Sequence, residues 1–107
     1  MKADKKRKLQ AAGYRVSNTE DFLGMTEEEV ALVEMKVLLT CFLKELRESQ
    51  AVSQTELAKM IGSSQSRVAK MEAGDPSVST DLLLRGVLAL GASRKDIGKV
   101  LGSRKAA

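Results

Sequence analysis

Gln65, Ser66, Arg67 and Lys70 lie within six positions of one another and carry amide, hydroxyl, guanidinium and ammonium donors. They are the groups on which binding chemistry could rest. Covalent chemistry has little to work with. The 107-residue chain has no histidine and one cysteine, Cys41, so the common general bases and nucleophile–base pairs are missing. Metal sites of the His/Cys kind cannot be assembled in one such chain. There is no glycine-rich phosphate loop, and the carboxylates cluster where the first turns of helices would use them as caps. Cys41 falls mid-helix among aliphatic residues, which suits a small packing residue better than a reactive thiol. The expectation is a binding protein and not an enzyme, with no cofactor and no metal.

The donors need a helix to present them, and residues 52–74 supply two. Ser53 is a good N-cap, and Glu56 three residues later completes a capping box. Leu57, Met60 and Ile61 then fall on one helical face, and Gly62 stops that helix by taking the left-handed conformation cheaply. Ser63 and Ser64 supply the next cap, Val68 and Met71 give the second helix an apolar face, and Gly74 followed by Pro76 ends it. Ala58 is small where the two helices must approach. This is the helix-turn-helix plan, in which the second helix presents its N-terminal residues to the major groove. The bland alternative is a helical hairpin that merely packs, but packing has no need of the donor-rich outer face formed by Gln65, Ser66, Arg67 and Lys70.

Gln54, Ala58, Gly62, Ser64-Gln65-Ser66, Val68, Met71, Glu72 and Gly74 together resemble the phage-repressor/Cro-like (XRE) family over residues 50–92. The resemblance implies a compact, all-α, repressor-like bundle of five helices that binds double-stranded DNA as a homodimer and represses transcription. Carried over residue by residue, it places Gln54 at the start of the helix before the turn, against phosphate. Ser64 caps the recognition helix and also reaches phosphate. Gln65 and Ser66 face base edges, with Arg67 and Lys70 further along the same face. The donor chemistry agrees, since Gln pairs with adenine, Arg or Lys with guanine, and Ser with either. For each residue the bland reading is a solvated side chain. More loosely, Asp21-Phe22-Leu23-Gly24-Met25-Thr26-Glu27-Glu28-Glu29 leading into a long helix looks like the subgroup containing HigA-type antitoxins. That subgroup neutralises a small ribonuclease toxin and autoregulates its operon.

That long helix is the chain's departure from a minimal repressor domain. Thr26 caps it with Glu29 as box partner, Met25 and Val30 stand at staple positions, and Glu27 and Glu28 sit where the helix dipole favours anions. It runs unbroken to Ser49, about 33 Å at 1.5 Å per residue. Ala31, Leu32, Met35, Leu38, Leu39, Phe42, Leu43 and Leu46 form one broad apolar stripe, the natural core contact. Val30, Val33, Val37 and Cys41 form a narrower stripe inside a charged arc of Glu29, Glu34, Lys36, Lys44 and Glu48. Either Phe22, Leu23 and the segment before them fold back over this second stripe, or it is an interface with a second copy or another protein.

The rest of the chain reads as further helices. Ser17 with Glu20 would open a short one ending at Gly24. Ser79 or Thr80 would cap a helix from Asp81 to Leu90, with Leu82, Leu83, Val87, Leu88 and Leu90 inward. Ser93 with Asp96 would open a last helix from Arg94 to Leu101, stopped by Gly102. No strand is expected. Residues 1–16 form a basic, flexible N-terminal arm, 17–102 the DNA-binding domain, and 103–107 a tail.

Net charge is +4, with basic ends around an acidic middle. Lys2, Lys5, Lys6, Arg7 and Lys8 face one Asp4, and residues 17–48 hold eight acids against Lys36, Lys44 and Arg47. Basic ends favour phosphate, while the acidic helix would repel it. The absence of a secretory signal, of a membrane-length apolar run and of paired cysteines suits a cytoplasmic protein. Three functions stay open: a stand-alone dimeric repressor, a DNA-binding antitoxin with a toxin partner, and a protein-interaction domain that does not bind DNA.

Overall fold

The computed structural model describes residues 24–103, which form five helices and no strand: α1 (Glu27–Ser49), α2 (Gln54–Met60), α3 (Gln65–Glu72), α4 (Thr80–Ala89) and α5 (Arg94–Leu101). The basic arm, the short helix expected from Ser17 to Gly24 and most of the C-terminal tail lie outside the described residues.

Local chemistry sets where these helices begin. Thr26 and Glu29 form a reciprocal capping box at α1, as do Ser53 and Glu56 at α2 and Ser93 and Asp96 at α5. Ser64 accepts from the Arg67 amide at 3.2 Å, and Ser79 accepts from the Leu82 amide at 3.1 Å. Each hydroxyl satisfies an amide that has no partner inside its own helix.

Packing then selects the core. Leu39 and Leu43 of α1, Leu57 of α2, Val68 and Met71 of α3, and Leu83 and Val87 of α4 have no exposed surface. Helix α1 packs on α3, α4 and α5, while α2 packs on α3 and α4. Gly86 marks a close approach, because a Cβ there would stand 2.8 Å from Leu43 Cδ1 and 3.2 Å from Met71 Cε. Lys36 Nζ donates to the Pro76 carbonyl (3.2 Å) and Gln50 Nε2 to the Leu90 carbonyl (2.6 Å), tying α1 to the loops on either side of α4.

Four expectations are corrected. The broad α1 stripe enters the core only from Leu38 onward, and Leu32 is 62% exposed, because the shorter α4 and α5 leave the first half of α1 without a buried residue. In the second stripe, Val37 is fully buried rather than a free contact surface. It clusters with Leu38, and Val100 of α5 and Met25 pack against the pair, with half-buried Val30, Val33 and Cys41 alongside. Helix α4 begins one residue earlier than expected, and Leu88 is 48% exposed, since Leu83, Gly86, Val87 and Leu90 point the opposite face inward. Met60, placed with Leu57 on the inner face of α2, is also exposed.

Candidate nucleic-acid interface

Helices α2 and α3 meet across a tight turn. Gly62 takes φ +66°, and the Ser63 amide donates to the Ala58 carbonyl at 2.8 Å, closing the end of α2. Ala58 is buried at the helix contact. Helix α3 is seated by Val68, Met71 and Glu72, all buried, so its remaining residues turn outward. Gln65, Ser66, Arg67 and Lys70 are exposed, as is Ser64, while Gln54 is half-buried.

The four donor residues do not share one face. At about 100° per residue, Ser66 and Lys70 centre the outward surface, while Gln65 and Arg67 are about 160° apart on opposite flanks. Gln65 lies toward α2, where its Nε2 donates to Gln54 Oε1 at 2.7 Å. Ser66 Oγ is 3.2 Å from Ser64 Oγ.

The Gln54–Gln65 contact is the outer end of a half-buried network. Gln54 Nε2 donates to Glu72 Oε1 at 3.0 Å. Glu72 pairs through both oxygens with Arg47 of α1: Nη2 donates to Oε1 at 2.9 Å, and Nε donates to Oε2. Arg47 Nη1 also donates to the Val52 carbonyl at 2.7 Å. The paired side chains are 12% and 4% exposed, so water screens them little. The hydrogen bond to Glu72 pushes the Arg47 guanidinium above its already high range, against the opposing effect of burial. A planar guanidinium and a carboxylate fix each other's orientation, and Gln54 passes that orientation on to Gln65.

Reading the sequence missed Arg47 altogether and gave Glu72 no role beyond the family pattern. The available signal was that Glu72 lies four residues after Val68, hence on the inward face, where a carboxylate requires a cation or donors. Gln54, expected at phosphate, has its side chain engaged with Glu72 and Gln65.

Two other carboxylates border the site. Hydrogen bonds from Ser53 hold the Glu56 carboxyl below its usual range. Asp75, in the α3–α4 loop, is lowered by hydrogen bonding to Ser77 and then by Lys70 and Lys36. Among the described residues no group of three His, Cys, Asp or Glu could hold a metal, and no helix is long and apolar enough to cross a membrane.

A two-helix unit with a glycine turn, a seated inner face and exposed donors on the second helix defines a helix-turn-helix protein. Residues 43–97, just over half of the chain, match the helix-turn-helix family model. The chain belongs to the Cro and phage-repressor (XRE) branch of these proteins and is a DNA-binding regulator of transcription. No curated protein and no solved structure matches it.

Proposed function

We propose that the chain is a repressor that binds operator DNA as a dimer. Gln65, Ser66, Arg67 and Lys70 read base edges, with Arg67 reaching from the flank opposite Gln65, and Gln54 and Ser64 lie against phosphate. The observation that carries this reading is the chain of contacts from Arg47 through Glu72 and Gln54 to Gln65. It holds the outer amide in place before any ligand arrives, and preorganised donors lose less freedom on binding. The test begins with a duplex enriched by the protein from a random pool. Gln65→Ala and Lys70→Ala should each cost about 1–3 kcal/mol in discrimination for that duplex. Their melting temperatures should stay near wild type, because both side chains are exposed. Wild-type binding by both variants would show that α3 does not read the sequence.

One observation favours a further partner. Leu32 is exposed on the acidic first half of α1. That supports the reading of an antitoxin whose long helix also engages a small basic toxin. The test is co-purification with the product of the adjacent gene. Leu32→Glu should abolish the complex and leave DNA binding intact.

A further inference from the structure

The loop that follows α3 carries an acid where a DNA-binding surface would be expected to carry bases. The Asp75 amide donates to the Lys70 carbonyl at 3.1 Å, folding the loop back across the last turn of α3. The Asp75 carboxylate accepts from the Ser77 amide at 2.8 Å, and the Val78 amide donates to the Asp75 carbonyl at 3.1 Å, so the side chain is fixed by its own turn. Lys36 braces the same loop from α1 through the Pro76 carbonyl at 3.2 Å. A held negative charge therefore stands at the end of the recognition helix, in the loop that folds back on the backbone of its last donor, Lys70.

We propose that Asp75 is a specificity-determining residue that restrains Lys70 from indiscriminate phosphate binding. The proposal rests on the reading of Lys70 as a base contact. Lys70 and Lys36 both act on the Asp75 carboxyl electrostatically, which puts it within the field of both ammonium groups. An ammonium on a flexible stem is a point charge that any phosphate attracts, and such contacts supply affinity without information. A fixed carboxylate near it offsets that attraction. The loss falls mainly on non-cognate DNA, where phosphate contacts supply essentially all of the binding. At the preferred duplex Lys70 still gains its base contact. Asp75 thus lowers total affinity and raises the ratio between sites.

The experiment uses the full chain, the duplex it enriches from a random pool, and a scrambled duplex of equal length, each titrated over a range of salt. Asp75→Asn is the main variant, because the Asn oxygen still accepts from the Ser77 amide and only the charge is removed. It should bind the scrambled duplex roughly 3–10-fold more tightly, with a salt dependence steeper by about one unit, and discriminate less. Asp75→Glu keeps the charge and should behave as wild type. Asp75→Ser, which can form the same kind of turn, should behave as Asp75→Asn and guards against a folding defect in either. In a Lys70→Ala background Asp75→Asn should change nothing. An unchanged scrambled-duplex affinity and salt slope in Asp75→Asn would overturn the proposal. So would an increase of equal size without Lys70, which would mean that Asp75 acts on phosphate alone. If Lys70→Ala itself leaves discrimination intact, the reading of Lys70 fails and the proposal fails with it. A Lys70 effect without an Asp75 effect overturns only the proposal.

Discussion

From Val37 to Leu43 the long helix buries Val37, Leu38, Leu39, Thr40 and Leu43, whereas its first ten residues, Glu27 to Lys36, bury none. The residue types do not explain this. Leu32 precedes Leu39 by two turns and shares its face, yet Leu39 has no exposed surface and Leu32 is open. Helix α1 packs on α3, α4 and α5, but along its first half every residue keeps some exposed surface, including Lys36, which ties to the Pro76 carbonyl. The family match, from Leu43 to Ile97, leaves out the first half of α1 and also its buried residues Val37 to Thr40. An apolar stripe states what a helix is able to bury, and the length of its neighbours decides how much of it becomes core. Nor does the second half of α1 act only as packing. Its Arg47 reaches across to Glu72 and so sets the position of Gln54 and, through it, of Gln65.

The sharpest way to break this comparison is to truncate the same residue type in both halves. Leu39→Ala removes a fully enclosed side chain and should cost about 2–5 kcal/mol in urea denaturation. Leu32→Ala should cost no more than about 0.5 kcal/mol. Similar losses at the two positions would mean that the first half of α1 is enclosed in solution and that the contrast does not hold.

A second test separates holding the fold together from presenting the site. Glu72→Ala strands the Arg47 guanidinium in a nearly dry position and should cost about 3 kcal/mol. The double replacement Arg47→Met, Glu72→Met removes both charges and should recover much of that loss, since well-packed apolar groups substitute for buried ion pairs at little cost. Gln54 then loses its acceptor, so discrimination between DNA sites should stay impaired in the restored fold. Full recovery of both stability and discrimination in the double variant would show that the pair contributes structure alone.

Much of this architecture was legible from local rules. Capping boxes at Thr26, Ser53 and Ser93 join residues three apart, and all three formed. The turn at Gly62 and the exposure of Gln65, Ser66, Arg67 and Lys70 followed from short-range spacing too. What escaped depends on distance in sequence. Arg47 and Glu72 are 25 residues apart, and nothing in either segment names the other. The burial of Val37 required knowing that α5 returns over α1, and the exposure of Leu88 required knowing which side of α4 meets Leu43 and Met71. Periodicity identifies a stripe but carries no information about what will lie opposite it.

The smallest expected effect lies at the joint between the long helix and the helix-turn-helix. Helices α2, α3 and α4 end on glycines with positive φ, but α1 ends on Ala51 at φ +56°. The hydrogen bonds are those of a normal left-handed termination: the Val52 amide donates to the Arg47 carbonyl and the Ala51 amide to the Glu48 carbonyl, both at 3.1 Å. Holding an alanine there costs roughly 1–2 kcal/mol through the crowding of its Cβ. Glycine removes that strain but adds roughly 0.5–1 kcal/mol of backbone entropy in the unfolded chain. Ala51→Gly should therefore raise stability by about 0.5 kcal/mol, read as a higher urea midpoint at unchanged slope. DNA binding should not change, because the Val52 carbonyl still meets Arg47 Nη1 in the same turn. A lower midpoint would mean that the entropy of the new glycine outweighs the strain it relieves. A higher midpoint with weakened DNA binding would mean instead that the stiffness of this joint, and not only the Arg47–Glu72 pair beyond it, holds the recognition surface in place.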